Sequence, residues 1–405
     1  MIGGSLNDML DAIVVGAGVV GASVAHCLAE SGAQVRVLEA GGVAAGTSAA
    51  TFAVDITRVK TPRELFQLSL ASAGEHATLQ ARSVDSCWVH PAATLEWESE
   101  PSDRQRLRDR CERMHAWGYP AQWLSAQQVH AFEPALVLPP TEDHEVAFFA
   151  AGGWYEPVVF ARVLLDRAQD RGAGLRLRDP VTAMSVADGR ITEVHTTSGE
   201  RLRADVVVNC AGPQSTQIAA MAGAWLPLRR VPGMVVTTTP GAAPLRAILA
   251  TPDLNIRPHN DDAVMLHSWL VDRELVGATD ARRRALPTAL LDRARNLLPA
   301  LAGVGVHSAT VGERPLPPDG LPLIGYSEGV RNLYSVVSHS AVHLAPILGR
   351  LAAHELTGHR QDRLDLFRPT RFGPGSLTAP ARDENTRTML ARVDARAFEE
   401  PADVS

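Results

Sequence analysis

Residues 12–15 are uniformly apolar, the pattern of a strand covered on both faces of a parallel sheet. A glycine-rich turn, Gly16-Ala17-Gly18-Val19-Val20-Gly21, follows at once. Residues 22–30 then place Val24, Ala25 and Leu28 on one face of a helix, and Gly32 is positioned to stop it. Residues 34–38 read as a second strand with Glu39 at its end. Further on, the pattern predicts helices over 62–81 and 158–171 and strands over 175–177, 181–186 and 191–197. Residues 205–209 make another buried strand, and the turn at Ala211-Gly212 returns that strand to the first sheet. A strand over 333–337 and a helix over 344–356 complete this series.

Two stretches break the order. Residues 86–149 carry tryptophans at 88, 97, 117 and 123, dense charge and mixed periodicity, and read as the start of an inserted second domain. Residues 226–308 alternate polar and apolar positions with a helix near 288–298, which fits an antiparallel sheet with helical cover. The class is therefore α/β with an α+β second domain. The tail from 373 is polar and proline-containing, and reads as partly helical or disordered.

The glycine turn carries specific physics. Gly16 permits the tight turn, Gly18 lets the backbone approach a pyrophosphate, and Gly21 lets helix and strand pack closely. The helix start offers free N–H groups and the positive end of its dipole to phosphate. Glu39 lies 18 residues after Gly21, near the spacing of a carboxylate that accepts from a ribose hydroxyl and repels a 2'-phosphate. The unit predicts dinucleotide binding and disfavours NADP. The loop Ala40 to Ala50, with Gly46, Thr47 and Ser48, is small and hydroxylated enough to wrap a bulky cofactor.

Composition adds exclusions. The 405 residues, 45% hydrophobic and 21% charged, suit roughly two to three globular domains. A net charge of −6 argues against nucleic acid as partner. No apolar run is long enough for a membrane span, and no basic residue precedes the first apolar segment, so neither a span nor a signal peptide is expected. Cysteines at 27, 87, 111 and 210 form no CxxC pair and no zinc-like spacing, which points to reduced thiols, no metal and a cytoplasmic protein. Lys60 is the only lysine, so amine chemistry has one place to occur.

Five motifs in order give a resemblance. They are the fingerprint ending at Glu39, Gly46-Thr47-Ser48, Gly153-Trp154-Tyr155-Glu156-Pro157, Val207 to Pro213, and Arg314 to Gly325 leading to Ser338 through Pro346. From about 12 to 358 the chain resembles the FAD-dependent oxidoreductases of the D-amino-acid oxidase, glycine oxidase and sarcosine oxidase type. The resemblance implies a Rossmann-like FAD domain assembled from 1–85, 150–225 and 309–372, a substrate domain of 86–149 and 226–308, and a tail from 373 to 405. It implies that Val181 contacts the adenine and that Glu39 and Ala40 lie by the ribose. Gly16, Gly18, Val19, Val20, Gly21, Gly46, Thr47, Ser48, Ala211 and Gly212 would lie along the cofactor, with Arg314, His339, Ser340, Ala341, Val342, His343 and Leu344 near the flavin ring. A helix starting near Val342 would aim its positive end at the ring edge that gains charge on reduction. With no cysteine after Cys210, non-covalent FAD is expected.

The resemblance makes Arg314 the clamp for a substrate carboxylate, since a guanidinium fork suits that group. Arg257, Arg58 and Lys60 are further substrate-binding candidates, and His339 a catalytic one. Two features depart from the family pattern: residues other than glycine at Ser338 and Ala341, and no lysine on the 263–267 strand where sarcosine oxidases carry one. The second bears on whether oxygen or another acceptor takes the electrons. The reaction implied is oxidation of the C–N bond of a D-amino, N-methyl or cyclic imino acid by hydride transfer to flavin N5, giving an imine. The alternatives are oxidation of a 2-hydroxy acid on the same cofactor and a non-catalytic flavoprotein or assembly factor on the same fold.

Overall fold

The computed structural model describes residues 9–139, 145–241, 244–260, 262–373 and 381–392. Residues 1–8 and most of the expected tail, 374–380 and 393–405, lie outside the described residues.

The first sheet is built as the apolar pattern requires. Strand β1 (Asp11–Val15) leads through the glycine turn to helix α1 (Val19–Glu30) and back to strand β2 (Gln34–Leu38), parallel to β1. Six strands run in the order Leu323–Ser327, Val330–Val337, Val206–Asn209, β1, β2, Gly174–Arg176. All neighbours are parallel except the first pair. Val24, Ala25 and Leu28 of α1 are fully buried against the sheet and the helices Pro157–Asp170 and Ala341–Leu356. Burying each larger apolar side chain contributes about 1.5–3 kcal/mol. An antiparallel meander of Val181–Ala187, Arg190–Thr196 and Arg201–Leu202, with the helix Ser215–Met221, packs a second apolar cluster on the sheet.

The second sheet has eight strands in the order Val306–Leu316, Arg229–Thr238, Ala263–His267, Asn255–His259, Ala247–Ala250, Ala93–Glu96, Val146–Phe149, Gln122–Leu124. It is mixed rather than purely antiparallel: Ala93–Glu96 pairs parallel to Ala247–Ala250. The insert at 86–149 thus extends the edge of the sheet formed by 226–308. The helix Asp280–Leu297 shares the apolar core of this sheet, with Leu286, Leu290 and Leu291 buried. The strand Val306–Leu316 pairs along its length with Arg229–Thr238, so the 308/309 boundary falls inside one strand and Arg314 belongs to the second sheet. The tail is helical at Glu384–Arg392.

Candidate active site

The nucleotide end forms around three backbone features. Gly16 has φ +107°, and a Cβ there would stand 2.6 Å from the Cys210 carbonyl oxygen. A Cβ at Gly21 would stand 1.9 Å from the Gly16 oxygen, so only glycine lets α1 close on the turn. The α1 helix starts at Val19, has no acidic residue in its first turn, and is met from the loop by Ser48, whose Oγ accepts from the Val19 N–H at 3.2 Å. Glu39 folds over the turn: Oε2 accepts from the Ala17 N–H at 2.7 Å and Oε1 from the Gly41 N–H at 2.6 Å.

From this end a cavity of about 550 Å³ extends between the two sheets. Gly16, Gly18, Val19, Val20, Glu39, Ala40, Gly46, Thr47, Ser48, Val181, Ala211 and Gly212 line one part of it. His339, Ser340, Ala341, Val342 and His343 line its middle, and Arg314 and Arg58 the part toward the second sheet. Thr47 ties the parts together, its hydroxyl donating to the Glu313 carbonyl at 2.7 Å. A cavity with a helix start free of acidic residues, a glycine cradle and a carboxylate beside it fits a dinucleotide such as FAD. Gly21, Leu344, Arg257 and Lys60 do not line it. Gly21 acts through packing alone.

The middle segment heads the helix Ala341–Leu356. His339 is half-buried, and its Nδ1 has no hydrogen-bond partner. Burial, then the positive charges of Lys60 and Arg314, hold its pKa well below the ordinary histidine value, so it is neutral. His343 turns inward. Its Nδ1 accepts from the Tyr155 hydroxyl at 3.0 Å, and its Nε2 meets Ser69 Oγ at 2.7 Å. Leu344, expected at the cofactor, is fully buried in the core beneath α1, because the helix presents that side to the sheet.

At the substrate end Arg314 sits over Gly233, where a Cβ would stand 2.1 Å from its NH2. NH1 donates to the Pro232 carbonyl at 2.9 Å, NH2 pairs with Asp272 Oδ2 at 2.8 Å, and the guanidinium lies 5.0 Å from the Trp269 ring centre. His267 Nε2 is 2.9 Å from the same Asp272 oxygen, and Asn255 Nδ2 is 3.3 Å from His267 Nδ1. Arg314 NH2 also lies 3.0 Å from His267 Nε2, so the guanidinium, the imidazole and the Asp272 carboxylate form one cluster. Burial works to raise the Asp272 pKa, but Arg314 and His267 outweigh it and hold the carboxyl below its usual range. The sequence motifs point to neither His267 nor Asp272. One readable signal was Gly233 inside a strand, the mark of a close approach.

Three expected substrate residues have other partners. Arg58 Nε donates to Glu96 Oε2 at 2.8 Å at the cavity wall, and Arg110 also pairs with Glu96. Arg257 is buried away from the cavity. Its Nε donates to the Phe52 carbonyl at 2.6 Å, its NH1 to the Pro258 carbonyl at 2.8 Å, and its guanidinium lies 4.3 Å from the Trp154 ring centre. Burial lowers its pKa to about 10. Lys60 is also buried, donating to Ser340 Oγ at 2.7 Å with Asp383 Oδ2 at 3.4 Å. Among the described residues no cluster of His, Cys, Asp and Glu is suited to a metal ion, and no helix is long and apolar enough to cross a membrane.

Comparison with known proteins gives a consistent result. A family model described as DAO, FAD dependent oxidoreductase, matches residues 11–355. The bifunctional protein ThiO/ThiG of Trichormus variabilis is 26% identical over 91% of this chain and 56% of its own length. The D-amino-acid oxidase of Bradyrhizobium diazoefficiens is 29% identical over 62% of this chain and 59% of its own. The chain thus spans less than two thirds of these relatives. The solved glycine oxidase of Geobacillus kaustophilus superposes with a TM-score of 0.79 at 21% identity, covering 90% of this chain and 99% of that one, a likeness of fold.

Proposed function

Because the chain belongs to the DAO family of FAD-dependent oxidoreductases, we propose that it oxidises the C–N bond of a small amino acid or secondary amine bearing a carboxylate, with FAD held non-covalently. The observation that carries this reading is the single cavity that joins a dinucleotide cradle at Gly16–Glu39 to a guanidinium at Arg314. FAD supplies the hydride acceptor, and the substrate leaves as an imine that water hydrolyses. The residues supply binding and orientation. Glu39 exchanges its backbone partners for ribose hydroxyls. Arg314 receives the substrate carboxylate on donors that Asp272, His267 and Pro232 leave open. Asp272, His267 and Asn255 fix its plane, so the α-carbon arrives in one orientation. Phe52 and Trp269 reduce water around it.

No side chain need act as a strong base. The charges of Lys60 and Arg314 that suppress protonation of His339 also disfavour an ammonium in the same place. The neutral amine is the form that reacts, its proton having passed to water. Cys210, the one cysteine among the described residues lining the cavity, is buried with its thiol pKa raised, which supports non-covalent FAD. The strand Ala263–His267 carries no lysine, which supports an acceptor other than oxygen.

The test is an anaerobic titration of the flavin band near ~450 nm, a property of the cofactor. D- and L-amino acids, sarcosine, proline, pipecolate and 2-hydroxy acids would be added in turn. Bleaching by an amino or imino acid, with slow return on admitting air, is expected. Bleaching by hydroxy acids alone, or failure to bind FAD, would overturn the reading.

A further inference from the structure

The family match ends at residue 355, yet the described chain comes back to the cavity well beyond that point. Arg382 N–H donates to the Asp319 carbonyl at 2.7 Å, and the helix Glu384–Arg392 begins two residues later. Asp383 is fully buried and acts as the helix cap: its Oδ2 accepts from the Thr386 N–H at 3.2 Å and the Thr386 hydroxyl at 3.0 Å. The same oxygen lies 3.4 Å from Lys60 Nζ, whose other bond is to Ser340 at the head of the helix Ala341–Leu356. Further along, Met389 is fully buried against Val231, Leu316 and Trp269. Trp269 is the ring that underlies Arg314. Between the two anchors Thr388 is exposed and lines the cavity, which puts it at the mouth.

We propose that the helix Glu384–Arg392 is a strap across the substrate end of the cavity, anchored by Asp383 on Lys60 and by Met389 beside Trp269, and that Thr388 sets the size of substituent a carboxylate-bearing ligand can carry. The argument rests on independent contacts. A buried carboxylate is retained only with a partner, and beside its backbone and hydroxyl donors Asp383 has Lys60, the sole lysine, at 3.4 Å. A buried methionine among apolar side chains, with Leu390 packed beside it, gives the helix a fixed seat. The strap joins two parts of the site that are far apart in sequence: Ser340 at the middle of the cavity and Trp269 under the carboxylate clamp. The size role rests on the reading of Arg314 as that clamp; the docking does not.

The sole lysine makes the docking measurable. With the full FAD-saturated chain, an acetyl N-hydroxysuccinimide ester is applied and acetylation of Lys60 is followed by mass spectrometry, separately from the terminal amine. Lys60 is expected to react slowly in the parent chain and at least tenfold faster in Met389→Asp. Fast labelling in the parent, or equal slow labelling in a folded Met389→Asp variant, overturns the strap. Should Met389→Asp fail to fold, Asp383→Asn gives the same readout. For the size role, acetate and benzoate binding are measured by calorimetry. Thr388→Trp is expected to weaken benzoate at least tenfold relative to acetate, and an unchanged ratio refutes the assignment of Thr388. If the parent binds neither acid, the carboxylate reading of Arg314 fails, the size role falls with it, and the labelling result alone judges the strap.

Discussion

Arg314 and Glu96 are charged side chains at the cavity that behave differently, and each gives a measurable consequence. Arg314 holds one acidic partner, Asp272, and lines the cavity. Lysine would keep the charge and lose the fork, together with the bond to the Pro232 carbonyl. Arg314→Lys is expected to lower kcat/KM for a carboxylate substrate by about 10- to 100-fold, the cost of one or two charge-assisted hydrogen bonds. Most of that loss should appear in KM, and an unchanged KM would remove Arg314 from substrate binding. Glu96 lines the cavity from another strand of the same sheet. Burial pushes its pKa up, but Arg110 and Arg58 outweigh burial and bring it from 4.5 down to about 2. A folded-state pKa below the unfolded one means stability that is present above the unfolded value and lost as pH falls through the folded one. The shift corresponds to roughly 3 kcal/mol. Urea unfolding at about pH 6 and about pH 3 should therefore show a loss in the parent chain that Glu96→Gln lacks. The glutamine variant should be less stable at the higher pH, because it leaves two arginines without their shared carboxylate.

At the scale of elements, the βαβ unit was legible because every signal in it is local. Four apolar residues, three spaced glycines and a terminal carboxylate dictate strand, turn, helix and strand without reference to the remaining chain. The close contact of Gly21 with the Gly16 carbonyl makes the unit testable. Gly21→Val should lever α1 away from β1, cost about 1–3 kcal/mol through overpacking, and reduce the FAD bound per chain. Absorbance ratio and thermal melting read both effects, and full FAD occupancy with an unchanged melting point would contradict this packing role. Other elements were less readable for the same physical reason. Arg257 lies on a strand whose pattern is plain, but its fate depends on Phe52 and Trp154, brought beside it by the fold. Asp272 carries no motif, and its importance comes only from strand registers that set His267 against Asn255 and Arg314 against Val231. The parallel pairing of Ala93–Glu96 with Ala247–Ala250 likewise joins segments about which local periodicity is silent.

For the molecule as a whole, the cavity lies between two sheets that have separate cores. The strand Val306–Leu316 belongs to the second sheet, and the chain returns to the first at Leu323–Ser327, so covalent links alone leave the two bodies loosely defined. Polar bridges such as Thr47 to the Glu313 carbonyl cross between them, as does the packing of Gly312 against Ala50. A ligand filling the cavity would touch the glycine turn on one side and residues such as Gly233, Val235 and Arg314 on the other. Binding energy that requires both surfaces in place stabilises their arrangement as well as each fold. Free FAD at a hundredfold excess over its Kd would add about 2.7 kcal/mol. For domains of 150–250 residues each kcal/mol moves the melting point by about 2–4 °C, so removal of FAD should lower it by several degrees. Coupling through the ligand makes a further demand: the stripped protein should unfold in two calorimetric steps where the FAD-loaded protein unfolds in one. A single transition in the stripped protein, shifted down but not split, would mean that direct contacts between the sheets already hold them together and that FAD occupies a rigid slot.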